Sequence, residues 1–378
     1  MNSPPKLPST TNPRGHPTEF DQIIQEKSRN FVGRNFVFTA INEFLQCYSR
    51  GYFTIIGAPG SGKSAILAKY VTENPHVVYY NTEFEGKNLA DEFLRNICTQ
   101  LINQYSLNYN SLPDNATEGS WFLSSLLQQI SEKLELNQKI IIAIDALNCI
   151  DHNSQPLGTN LFYLPRYLPD GVYFLLTRRP FLREKSGLLI ETPSQSLDLA
   201  DFSEENRQDV QAYIEKNLTP LPPLPYEGRG EQKNFSPLLK GEGLEEGSNI
   251  KRLIAECENN FMYLSQIINA INEGFYSEGF DFHQLPPGLE AYYQQHLQKM
   301  LDEAKEDFSI AVLNVLIQQQ KAISTSAIAH IIDADEYDVE QVLENWFEFL
   351  HQQRITEENY YSLYHSSFRH WLTKQQIL

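Results

Sequence analysis

The chain has 378 residues, 41% of them hydrophobic and 12% aromatic, and a formal net charge of −18. That length exceeds one ordinary core and predicts two or three domains, while the lack of any apolar run near eighteen residues excludes a membrane-spanning helix. The acidic balance argues against sequence-independent nucleic-acid binding, which needs Lys and Arg to replace counterions; a protein partner or self-association fits better.

The first stretch, MNSPPKLPSTTNPRGHPTEF, has no apolar signal core, and residues 1–30 read as a disordered tail rich in Pro, Ser, Thr and Asn. Cys47, Cys98, Cys149 and Cys257 lie far apart without metal-ligand spacing, so reduced thiols in a cytoplasmic setting are expected. A strand over Tyr52–Ile56 then runs into Gly57, Ala58, Pro59, Gly60, Ser61, Gly62, Lys63 and Ser64. Ala65 follows in an amphipathic helix bearing Ile66, Leu67 and Tyr70. This is GxxxxGK[ST] in its strand–loop–helix setting. Glycines let the backbone curl so that N–H groups face phosphates at a helix N-terminus, Lys63 neutralises the β- and γ-phosphates, and the Ser64 hydroxyl ligates Mg2+.

Strands are predicted at 76–81 (HVVYYN) and 172–177 (VYFLLT), with helices at 88–107 and 117–136. Between them Lys139–Asp145 is an apolar run ending in one carboxylate. Beside a phosphate loop, Asp145 gains a role as the Walker B acid, a second Mg2+ ligand. The alternation predicts an α/β fold, a doubly wound parallel-sheet P-loop NTPase domain over residues 31–202. VYFLLT runs straight into Arg178, Arg179 and Pro180 at the carboxyl edge where nucleotides sit. One guanidinium there senses a γ-phosphate, or the two form a surface pair.

Ser203 followed by acids is a good helix start, and a helical domain is expected over 203–300. Residues 219–247, rich in Pro and Gly, read as an exposed insertion within it. From 301 to 378 the predicted order is helix, short helix, longer helix, a two-stranded wing at RITEENYYSLY and a last helix, HSSFRHWLTKQQIL. That order suggests a winged-helix domain.

FVGR at 31–34, the phosphate loop, TRRP at 177–180, ENNFMYLSQII and YHSSFRHWL at 364–372 follow one another in a recognisable order. On these motifs, over residues 31–378, the chain resembles the signal-transduction ATPases with numerous domains, the STAND class of NACHT and NB-ARC type. The resemblance implies ATP/ADP as ligand, Arg34 approaching the nucleotide, Arg179 rather than Arg178 as γ-phosphate sensor, and His365 reaching the β-phosphate of ADP in a closed state. Many members carry a Gly-x-Pro contact to the base in the helical stretch; the glycine and proline are absent here. Members often place acids three or four residues beyond the Walker B Asp, where this chain has Asn148 and Cys149; Asp151 substitutes only if the turn folds back. Asn148 cannot accept a proton, so slow hydrolysis is expected of a nucleotide switch that opens and oligomerises. The alternative is an AAA+ ATPase like Orc and Cdc6, whose winged helix binds DNA; the run of acids from Asp302 to Glu340 disfavours it.

Overall fold

The computed structural model describes residues 16–84, 86–156, 158–181, 187–218, 245–272, 285–301, 306–319, 321–355 and 358–375. The chain divides into two compact units. The first runs to Phe202 without Ala58–Gly62; the second comprises Ala58–Gly62 and the residues from Ser203 onward.

The first unit contains α1 (Thr18–Ser28), α2 (Asn35–Cys47), β1 (Gly51–Ile56), α3 (Lys63–Glu73) and β2 (Val78–Asn81). They are followed by α4 (Ala90–Gln104), α5 (Trp121–Ser131), β3 (Ile140–Asp145), β4 (Val172–Arg178) and β5 (Ser194–Asp198). The strands form one sheet in the order β2-β3-β4-β1-β5, every pair parallel. β1, β3 and β4 are buried along nearly their whole length, as strands covered on both faces are, and this is why they read as unbroken apolar runs. Parallel pairing sets every carboxyl end on one edge, with Ile56 opposite Arg178 and Asn81 opposite Asp145. The doubly wound parallel sheet expected from the sequence is the sheet observed.

One expectation is overturned, and one strand had not been expected at all. The disordered tail does not extend to residue 30, because Thr18–Ser28 is helical. Phe20 and Ile24, one turn apart on that helix, are buried, and Phe20 packs edge-on to Tyr79 and Tyr80 of β2. The sheet also has an edge strand, β5, that polarity concealed: three of its five residues are exposed, so no strand period could be read.

The second unit holds α6 (Ser203–Leu218), α7 (Glu245–Glu256), α8 (Phe261–Asn272), α9 (Pro287–Leu301) and α10 (Glu306–Gln318). After these come β6 (Ile323–Ser324), α11 (Thr325–Ile332), α12 (Glu336–Asn345), β7 (Leu350–Ile355), β8 (Glu358–Leu363) and α13 (Ser366–Lys374). β6, β8 and β7 form an antiparallel sheet in that order, and with α10–α12 they fit the winged-helix arrangement. One apolar core runs from Val210 of α6 to Leu372 of α13, shared by the helical segments and the winged-helix elements. Within the expected helical domain, Glu258 and Asn259 at φ 45° and 60° end α7 and separate it from α8. The predicted insertion lies outside the described residues except for its last three, which open α7. Among the described residues no helix is long and apolar enough to cross a membrane, and no group of three or more His, Cys, Asp or Glu could hold a metal ion.

Candidate nucleotide-binding site

The phosphate loop leaves β1 with the Gly57 N–H bonded to the Arg178 carbonyl at 3.3 Å, which ties its start to the neighbouring strand β4. Gly60 and Gly62 then adopt φ 79° and 92°, left-handed backbone that other residues enter only with strain. Lys63, the first residue of α3, is buried, and its Nζ donates to the Gly57 carbonyl at 2.7 Å. The ammonium is thus held against the loop's own backbone at the helix N-terminus, where an anion is favoured.

Asp145 ends β3 fully buried. The hydroxyls of Thr177 and Ser64 donate to its carboxylate, and Tyr79 OH and Asn81 Nδ2 approach Oδ2 at 3.4 Å each. Burial is the largest influence and pushes the carboxyl above the usual carboxylate range; the bonds from Thr177 and Ser64 pull it back, Glu83 pushes it further up and Lys63 pulls it down. A buried carboxylate touching a serine hydroxyl is a hard-oxygen donor pair that suits Mg2+, which commonly takes one or two protein oxygens and completes its shell with water and phosphate. These residues fit the metal and the nucleotide that the loop implies.

Thr177 was not singled out in the sequence, yet it joins the two strands: its Oγ1 also accepts the Ala146 N–H at 2.9 Å, at a residue with φ 61°. A threonine immediately before an arginine pair, at the end of the strand that pairs with the Walker B strand, was the signal that could have found it. Tyr79 and Asn81 were equally hidden, since only the parallel register sets Asn81 opposite Asp145.

Lys63, Ser64 and Asp145 are therefore brought together. Arg34 occupies left-handed backbone at φ 62° ahead of α2, buried, with its guanidinium 5.9 Å from the Phe36 ring. Arg178 is buried too; its guanidinium stacks 3.5 Å over Phe181, and burial pulls its pKa down to about 10. Arg179 is half-buried, and its backbone N–H donates to Asn148 Oδ1 at 3.3 Å. Asn148, at the position that lacks an acid, thereby holds the arginine loop by its amide. Asp151 accepts the Asn153 N–H at 2.9 Å and caps the short 3-10 turn at 152–154.

In the second unit the loop tip is held by the start of α8. Asn260 Nδ2 donates to the Pro59 carbonyl at 3.2 Å and the Met262 N–H to the Gly60 carbonyl at 3.1 Å. A Cβ on Gly60 would collide with the Asn260 amide, which also caps α8 by accepting the Tyr263 N–H. His365 caps α13. Its Nδ1 accepts the Ser367 N–H at 3.1 Å, which fixes the proton on Nε2, and that nitrogen donates to the Cys257 carbonyl at 3.0 Å. The N–H that the resemblance sets against a β-phosphate is thus bonded to backbone in this structure.

The loop, the acid beside it and the strand order define a P-loop NTPase. Residues 38–177 match the family described as Nephrocystin 3, N-terminal. For the P-loop domain this bears out the resemblance to the STAND class. In fold the chain is similar to a Walker-type ATPase of Pyrococcus abyssi, at 13% identity and a TM-score of 0.52, with 96% of this chain and 99% of the other covered. A STAND protein with a tetratricopeptide repeat sensor from Pyrococcus horikoshii matches at 15% identity and a TM-score of 0.38, over 93% of this chain and 44% of that one. The first likeness shows the fold; the second is too loose to add to it. No curated protein matches the sequence.

Proposed function

We propose that this chain is an ATP/ADP-binding switch of the STAND class, which hydrolyses ATP slowly and controls signalling or assembly through nucleotide-dependent opening and self-association. The observation that carries this reading is the buried Asp145 carboxylate bonded to Ser64 beside Lys63. A buried acid surrounded by hydroxyl donors is costly unless a cation compensates it, and Mg2+ with a nucleotide supplies that compensation. Bound Mg2+ would add charge stabilisation at the β- and γ-phosphates. The chain's own residues divide the remaining work. Backbone N–H groups of Gly60–Ala65 receive phosphate oxygens, Lys63 neutralises them, and Ser64 and Asp145 hold the metal. Arg34 and Arg179 contribute positive charge, Arg179 as sensor of the γ-phosphate, while His365, with both ring nitrogens bonded within its own unit, is left to packing rather than to the β-phosphate of ADP.

A protein partner, or a second copy of this chain, is favoured over nucleic acid. α12, the helix that would enter a DNA groove, carries Glu336, Asp338, Glu340 and Glu344 and no Lys or Arg. The direct test is to denature purified protein and identify what it releases. ADP supports the switch; no nucleotide, together with no ATP binding in a titration with Mg2+, ends it.

A further inference from the structure

Every acid that the sequence offered after Asp145 is absent or engaged: Asn148 and Cys149 bear no carboxylate, and Asp151 caps a turn with its own. The turn that follows β2, the strand beside β3, supplies another. Glu83 lies two residues past Asn81, the residue that pairs with Asp145 at the carboxyl edge of the sheet. Its backbone is fixed to that edge from two sides. The Glu83 N–H donates to Asn81 Oδ1 at 2.8 Å, and Nδ2 of the same amide approaches Asp145 Oδ2, so one side chain spans from the Glu83 backbone to the Walker B carboxylate. The Thr82 N–H donates to the Asp145 carbonyl at 3.2 Å and the Thr82 hydroxyl to the Ala146 carbonyl. Glu83 itself is exposed, and its carboxylate has no hydrogen-bond or ion-pair partner among the described residues. Its negative charge nevertheless bears on both Asp145 and Tyr79, which places it within electrostatic reach of the metal ligand.

We infer that Glu83, just past the end of the neighbouring strand β2, is the catalytic base for ATP hydrolysis in this chain, in place of the acid missing after Asp145. The inference rests on the ATP reading above. The carboxylate takes one proton from water as the water oxygen bonds to the γ-phosphorus. The bond from that phosphorus to the β–γ bridging oxygen breaks, its electron pair leaving on ADP. Inorganic phosphate departs and Glu83 releases the proton to solvent.

The test is single-turnover hydrolysis of radiolabelled ATP by the full chain, with ATP affinity measured in parallel, for wild type, Glu83→Gln and Asp151→Asn. Glu83→Gln is expected to slow the chemical step by about a hundredfold or more, the usual scale for a lost general base, while ATP affinity and melting temperature stay as in wild type. Asp151→Asn is expected to hydrolyse at the wild-type rate. Glu83→Gln hydrolysing as fast as wild type, wild type binding ATP without hydrolysing it, or an equal loss in Asp151→Asn each overturns the inference and leaves the nucleotide reading standing. Wild type that binds no ATP overturns both.

Discussion

Asp145 and His365 are both deeply buried titratable side chains, one in each unit, and the chain treats them differently. At Asp145 four donors converge on one carboxylate, and burial still dominates, raising its pKa. At His365 burial also dominates and lowers the pKa, against the upward pull of Glu258, the Cys257 carbonyl and Glu256 and with the downward push of His351. The imidazole is neutral and both its nitrogens are matched, one as donor and one as acceptor. A neutral ring with both nitrogens bonded needs nothing further. A buried carboxylate in a raised-pKa setting has an unmet requirement for positive charge, and that is the signature of a binding site.

The largest effect should come from His365→Ala, which removes a packed ring and deprives the Ser367 N–H of its acceptor. A stability loss of about 2–4 kcal/mol in chemical denaturation is expected, with ADP release unchanged. Unchanged stability with ADP leaving five- to thirtyfold faster would break the comparison, because it would make His365 a nucleotide contact. Next is Lys63→Ala, expected to weaken ATP by about 1.5–3 kcal/mol, roughly ten- to 150-fold in a titration, since a charge-assisted bond to phosphate is lost. Asp145→Asn sharpens the contrast further. It should remove about 1–2 kcal/mol of nucleotide affinity in the presence of Mg2+ and none with the metal chelated. Without ligand its melting temperature should not fall, because a buried charge has been deleted; a clear drop would make Asp145 a structural acid.

The smallest effect is a pH dependence. A histidine whose folded pKa lies below its usual 6.5 keeps its full stabilising contribution above that value. The contribution is lost as pH falls from about 6.5 toward the folded pKa, because the unfolded chain takes up the proton first. Stability of the wild type should therefore decline on that acid side, and His365→Gln should show a shallower decline over the same interval.

Much of the first unit could be read from residues in a row. The loop Gly57–Ser64 carries its chemistry in consecutive positions, because phosphate recognition uses successive backbone N–H groups of one turn. The buried strands announce themselves as apolar runs for a similar reason, since covering both faces leaves no polar alternation. Where the chain's preference was weak or polar, as in β5 and at the Glu258–Asn259 break, local pattern was silent. Helix α1 was hidden by its polar neighbours, and only the docking of Phe20 and Ile24 gave it a reason to form.

What the sequence alone determined is thus the class: a phosphate loop, a Walker B acid and the alternation of a parallel sheet. The partners of that acid were decided by tertiary structure. Thr177 and Asn81 stand 32 and 64 positions from Asp145, and the Cys257 carbonyl stands 108 positions from His365. No periodicity within one segment encodes such pairs, because they depend on which strands become neighbours and in what register, and a one-residue slip would turn each side chain to the opposite face.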